Sequence, residues 1–424
     1  MTPRQPVATA EIIAVGSELL AADRTDTNSL FITAGLNDLG IEVLAKAVVG
    51  DRFEDLAGVF RDAMARADLV VLTGGLGPTD DDLTRAAVAH VLGRRLDEHA
   101  PTVDRIRARF ARRSLPMPEI NRRQAQLLGE ATLLDNPLGT APGQWVEHEG
   151  RLVVLLPGPP REMRPMFEAF ARDVLRSKTS AERLWRRSIR LVGRSESAAE
   201  EMLQPLYARW SARAPAVAPT ILAASGAIEL QVTVRTRADE DARLALDEAA
   251  RDVAAVFGSD VVSLAGERLE VVVGQLLRAR GLRLALAESC TGGLVSSRLT
   301  DVPGSSDYVE LGVVAYSNAA KQALLGVPAS LIAGHGAVSE PVAQAMARGV
   351  RERSGADVGV GITGIAGPGG GREAKPVGTV AIAVDGPGAH QAVRTFLFPG
   401  NREMVKTFAA TTAIDRVRRA LLQE

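Results

Sequence analysis

Apolar residues in this chain fall in short runs separated by amphipathic stretches, and that alternation predicts an α/β protein. Glu11 to Val15 is an apolar run of strand length, closed by Gly16-Ser17-Glu18-Leu19-Leu20. Asp26 to Leu39 opens on a capping residue and carries Leu30, Phe31, Ala34, Leu36 and Leu39 at helical spacing. Ile41 to Val49 predicts a second strand, Phe53 to Ala67 a second helix, and Asp68 to Leu72 a third strand. Strands and helices alternating in this way build a parallel sheet covered on both faces. Ligands of such sheets bind beyond the carboxyl ends of the strands. Leu152 to Leu156 predicts one more buried strand.

The pattern then changes. Arg187 to Val192, Thr220 to Ala224, Ile228 to Arg237 and Asp260 to Ser263 read as strands, the middle two pairing around Ser225-Gly226. Ser195 to Trp210 and Ala238 to Phe257 read as helices, giving a small α+β domain. From Glu267 an amphipathic helix to Arg280 leads into a compact apolar run, Leu282 to Ala287. Further strands are predicted at Val309 to Ala315, Asp357 to Ile362, Val377 to Asp385 and Gln391 to Phe398. Helices are predicted at Asn318 to Leu325, Glu340 to Ser354 and Asn401 to Leu422, and Leu331 to Ser339 reads as a turn. Three domains follow, 1–175, 183–264 and 267–424.

Composition narrows the function classes. The chain has 424 residues, 46% of them apolar and 24% charged, as in an ordered globular protein. A net charge of −1 supplies no basic field for nucleic acid, and 4% aromatics argues against a base-stacking surface. The only cysteine is Cys290, so an internal disulfide is excluded. No run reads as a signal peptide or a membrane span, and a soluble cytoplasmic protein is expected.

Candidate chemistry collects at predicted strand ends. Beyond the third strand lies Thr73-Gly74-Gly75-Leu76-Gly77-Pro78-Thr79-Asp80-Asp81-Asp82. Its glycines admit close approach of a phosphate, and three adjacent carboxylates offer hard oxygen ligands for a divalent ion. Asn136 to Gly143 is a rigid turn, and Pro157-Gly158-Pro159-Pro160-Arg161-Glu162-Met163 places Arg161 where it could reach a phosphate in a forked geometry.

In the last domain Leu282 to Ala287 ends in Glu288-Ser289-Cys290-Thr291-Gly292-Gly293, and helical spacing resumes at Leu294. The two glycines let the backbone bend toward a ligand, and unpaired N–H groups at a helix start suit an anion or a developing oxyanion. Gly304-Ser305-Ser306, Tyr316 and Lys321 follow, and Thr363-Gly364 opens a second glycine loop. A serine, a lysine and a tyrosine are the parts of a Ser–Lys hydrolytic site. Lysine has an ordinary pKa of about 10.4, so it must be desolvated, or set beside another cation, to act as a neutral base; Arg402 could be that cation or could hold the substrate phosphate. Ser289 and Ser306 are both candidate nucleophiles. Taken singly, each of these residues would pass for a cap or a solvated charge.

GSELL, TGGLGPTDDD and PGPPREM resemble the molybdopterin-binding domain family and, more closely, the N-terminal domain of the CinA (competence/damage-inducible) family. ESCTGG, PGSS, YSNAAK, HGAVSE, GITGIAGPGG and KPVGTV resemble the CinA C-terminal domain, also found alone as nicotinamide mononucleotide amidohydrolase. The resemblance implies an N-terminal pyrophosphatase acting on ADP-ribose with a divalent metal, and a C-terminal deamidase that needs no cofactor. It implies Asp80, Asp81 and Asp82 at the metal, with Glu18, Gly74, Gly75, Gly77, Pro78, Thr79 and Arg161 at the nucleotide. For the deamidase it implies Ser306 as nucleophile, Lys321 as base and Tyr316 as proton partner. Ser289 would then contact the carboxamide or the intermediate, with Thr291, Gly292, Gly293, Thr363, Gly364 and Arg402 at the substrate. The middle domain resembles a KH-type module, but no GXXG clamp lies between Arg187 and Ser263. It is expected to be a spacer or a dimer element, in a homodimer that binds no nucleic acid. The competing reading is a non-catalytic nucleotide-binding accessory protein of competence or DNA damage.

Overall fold

A computed structural model describes residues 6–180, 182–224, 226–386 and 392–422. It divides into two compact units. One runs to Trp185 and takes in Arg235–Ala242, and the other comprises Arg186–Val234 and the chain from Arg243 onward.

The first unit is built on a six-stranded sheet in the order Glu42–Val49, Thr9–Val15, Leu69–Thr73, Arg151–Leu156, Gly143–His148, Thr132–Leu134. The first four strands are parallel, as the alternation predicts, and the last two are antiparallel. Successive side chains on a strand point to opposite faces. Ile13, Val70, Leu72 and Val153 therefore pack against the Phe53–Arg66 and Thr84–Leu92 helices, and Ile12, Leu69, Val71 and Val154 against the Asn28–Asp38 and Pro160–Asp173 helices. The antiparallel edge is a departure from the all-parallel sheet expected. Asn136 to Gly143 reads as a turn, yet Gly143 begins a strand, and Thr132–Leu134 is three residues long, too short for a period to show.

The middle segment, most of which belongs to the second unit, forms a four-stranded sheet with the Glu196–Ser211 and Asp239–Phe257 helices. Val217–Ala224 and Ala227–Thr236 pair antiparallel. Of the predicted Ser225-Gly226 turn, Ser225 lies outside the described residues, and Gly226 has a φ of 84°. This segment is joined to the closing helix, Arg402–Leu422, rather than hung from it as a spacer. Arg418, 1% exposed, pairs with Asp415 and donates to the carbonyls of Val261 and Ser259. Asp260 accepts from both Arg194 and Arg419.

The remaining sheet has the order Val309–Val314, Leu284–Glu288, Val358–Gly364, Thr379–Asp385, Ala392–Leu397. The first three strands are parallel, so Glu288, Val314 and Gly364 end on one edge. The last two are antiparallel. The expected start of the final strand, Gln391, lies outside the described residues. The Leu269–Arg280 and Arg402–Leu422 helices cover one face, and Glu340–Ser354 covers the other. Gly359 and Gly361 make that second contact close, because a Cβ on either would strike the backbone of Ala347 or Ala343. Leu331 to Ser339, expected as a turn, includes most of a short helix, Ala329–His335, which ends before Gly336 at a φ of 76°. Among the described residues no helix is long and apolar enough to cross a membrane.

Candidate active site

The second unit gathers its chemistry beyond the carboxyl ends of its three parallel strands. Leu284–Glu288 is wholly buried and delivers Ser289, itself buried, whose N–H donates to the Ile362 carbonyl at 3.0 Å. Lys321 lies on the Asn318–Leu325 helix, capped by Ser317, whose Oγ accepts from the Ala320 N–H. Side chains on a helix lean toward its N-terminus, which carries this one back over the end of the neighbouring strand. Lys321 is 2% exposed, and its Nζ lies 3.0 Å from Ser289 Oγ, 3.0 Å from the Ala315 carbonyl and 3.3 Å from the Tyr316 carbonyl.

The polarity of this arrangement follows from its partners. Carbonyls can only accept. A neutral amine has two hydrogens and one lone pair, so two hydrogens on the carbonyls leave the lone pair for the Ser289 hydroxyl. Burial pushes the Lys321 pKa below its ordinary value. No carboxylate counters this. Glu288 is wholly buried, but its oxygens accept from the N–H groups of Gly293, Val295 and Ser296 and from Ser296 Oγ. The N–H groups of the helix start are therefore already occupied by the Glu288 side chain. The N–H groups of Cys290 and Thr291 bond to no protein oxygen among the described residues, and both are directed at the Cys290 sulfur. Gly292 and Gly293 have φ of 62° and 93°, which glycine alone adopts cheaply.

Several expected placements change. Ser306 is exposed in a one-turn helix, Ser305–Asp307, that precedes the Val309–Val314 strand. Lys321 follows that strand, so six residues at about 3.3 Å each separate the two edges. The sequence interval from Ser306 to Lys321 is short, but a strand spends it as distance. Tyr316 is 60% exposed, and its hydroxyl accepts from Arg402 Nη2 at 2.9 Å instead of facing the amine. Arg402 Nη1 donates to the Gly367 carbonyl, so burial and not Arg402 accounts for the lowered Lys321 pKa. Thr363 is buried and donates to the Ala337 carbonyl. Gly364 packs against Cys290 and Val380, where a Cβ would collide, so it serves close packing. Burial pushes the Cys290 thiol up to about 12, which keeps it protonated. Thr291 is wholly buried, with an Oγ1 that has no partner among the described residues.

The first unit carries a cavity of about 360 Å³ at the carboxyl edge of its own parallel strands. Glu18, Gly74, Gly75, Gly77 and Thr79 line it, as expected, while Pro78 and Arg161 do not. Arg161 is exposed on the Pro160–Asp173 helix, and Glu162, one residue on, faces the cavity in its place. Thr140, from the Asn136 to Gly143 turn, also lines it, as do Asp51 and Gln124, which come from segments that carry no motif. The three aspartates diverge. Asp80 points out to an ion pair with Arg123, and Asp82 is bound into the loop by the N–H groups of Gly77 and Thr79 and by Thr79 Oγ1. Asp81 and Asp82 both line the cavity, and a hydrogen bond with Thr79 holds the Asp81 carboxyl below its ordinary range. Among the described residues no group of three or more Asp, Glu, His or Cys could hold a metal ion. The residues present therefore do not fit a preformed three-carboxylate metal centre. Buried Arg85 donates to the carbonyls of Leu76 and Gly77 from beneath and fixes the loop.

Comparison with known proteins assigns both halves. Residues 11–177 match the family described as "Probable molybdopterin binding domain", and 266–421 match the "CinA C-terminal domain". The class is thus an α/β protein that couples a molybdopterin-binding-like module to a CinA-type module. A CinA-like protein of Koribacter versatilis (strain Ellin345) is 44% identical, the match covering 97% of this chain and 100% of that one. One from Solibacter usitatus (strain Ellin6076) is 42% identical over 97% and 98%. A solved CinA-superfamily protein from Klebsiella pneumoniae 700603 is 36% identical, covering 37% of this chain and 97% of its own, with a TM-score of 0.36. The chain belongs to the CinA family.

Proposed function

We propose that the second unit hydrolyses the carboxamide of nicotinamide mononucleotide to the carboxylate and ammonia. What supports this reading above all is the 3.0 Å contact between a desolvated lysine amine and the Ser289 hydroxyl. Neutral Lys321 takes the Ser289 proton as Oγ adds to the amide carbon. The N–H groups of Cys290 and Thr291 receive the oxyanion. The ammonium of Lys321 then returns its proton to the leaving nitrogen, the C–N bond breaks, and an ester to Ser289 remains. Water, deprotonated by the same amine, opens that ester and restores the serine. Arg402 and Tyr316 form the rim that would hold the nucleotide, and Thr363 fixes the adjoining loop.

For the first unit the proposal is cleavage of the ADP-ribose diphosphate within the 360 Å³ cavity, with Asp81, Glu18 and Glu162 as its carboxylates. The proposal extends to a homodimer that needs no nucleic acid. Ammonia release from nicotinamide mononucleotide, run beside ADP-ribose cleavage with and without chelator, tests both units. Absence of ammonia from the intact protein would remove the deamidase, and intact ADP-ribose under both conditions would remove the pyrophosphatase.

A further inference from the structure

We infer that Lys406 is the phosphate anchor of the second unit's site, and that this site selects monophosphate esters over the corresponding nucleosides. The inference rests on the deamidase reading above. Lys406 lies on the Arg402–Leu422 helix four residues after Arg402, which puts both cations on one helix face. Its Nζ is 3.7 Å from the position a Gly292 Cβ would occupy, so the ammonium stands over the turn that follows Ser289. The glycine keeps that approach open.

Two observations point to an anion there. Lys406 is partly buried, yet forms no hydrogen bond or ion pair among the described residues. By contrast Arg298, Arg351 and Arg419 of the same unit each hold a carboxylate. Arg402 has both Nη atoms engaged, one on Gly367 and one on Tyr316, so it stiffens the rim, and Lys406 is the charge left available. A lysine ammonium is a compact point charge suited to a phosphate dianion. The carboxamide at Ser289 and the phosphate at Lys406 would fix the two ends of one nucleotide.

The test uses the full chain and compares nicotinamide mononucleotide with nicotinamide riboside. Losing a charged hydrogen bond corresponds to about a 10- to 100-fold weakening. Lys406→Ala should therefore raise KM for the mononucleotide by that factor with a much smaller change in kcat. The mononucleotide-to-riboside ratio of kcat/KM should fall to match, and Lys406→Arg should restore most of it. An equal loss on both substrates, or no change in KM, overturns the inference. Calorimetric titration with ribose 5-phosphate separates this from failure of the deamidase reading. Binding that weakens in Lys406→Ala supports the anchor even if no ammonia forms, and no binding to the wild type overturns it.

Discussion

The decisive residue is Lys321, because its protonation state is set by where its amine is held. The neutral amine is the catalytic form, so kcat/KM should rise with pH through the Lys321 pKa and level off above it. Burial places that limb below the ordinary lysine range of about 10.4. The same shift acts on stability. The folded pKa lies below the unfolded one, so between them the unfolded chain binds more protons and native stability rises with pH. Lys321→Met should flatten that rise, as read from urea midpoints across a pH series. Ser289→Ala should cost at least about 10⁴-fold in turnover. Ser306→Ala, a surface change at the opposite edge, should stay within about twofold. Full activity in Ser289→Ala, or its loss in Ser306→Ala, would reverse the assignment of the nucleophile.

At the scale of elements, two short pieces carry unusual weight. The Leu294–Thr300 helix is too short to form unaided, and the Glu288 carboxylate supplies its first turn with three N–H partners. That same capping holds Ser289 in place, since the two residues adjoin. The other is the end of the Arg402–Leu422 helix, where buried Arg418 joins Asp415 to the carbonyls of Ser259 and Val261. Without Arg418 those two carbonyls lose their donor while Asp415 keeps Arg419, a cost of about 1–3 kcal/mol. Arg418→Ala should lower the unfolding free energy of the second unit by about that amount in denaturant titration. A change below about 1 kcal/mol would mean that the charges reach water.

Across the whole molecule, each unit places its own glycine loop at its own parallel sheet edge, so the two proposed activities should be separable by substitution. Lys321→Ala should abolish ammonia release and spare ADP-ribose cleavage. Asp81→Asn should do the reverse, while Asp80→Ala, already paired outward with Arg123, should stay within about twofold. Loss of both activities from either single change would show that the units depend on each other.

Periodicity determined the α/β class, the strand–helix order and the loops at strand ends, because each rests on local spacing that a buried face enforces. The places of Ser289, Thr291 and the Gly74–Gly77 loop at strand ends, and of Lys321 at a helix start, were legible for that reason. The tertiary structure alone decided which serine meets the amine, since Ser306 and Ser289 differ in the edge of the sheet they occupy and not in local pattern. It also decided that Glu288 caps a helix, that Asp80, Asp81 and Asp82 part company, and that Glu162 replaces Arg161 at the cavity. These depend on where a side chain points once its backbone is fixed, and adjacent residues on a turn or a helix start point in different directions. Lys406 had no motif to mark it, and only the packing of the last helix over Gly292 brought it to the site.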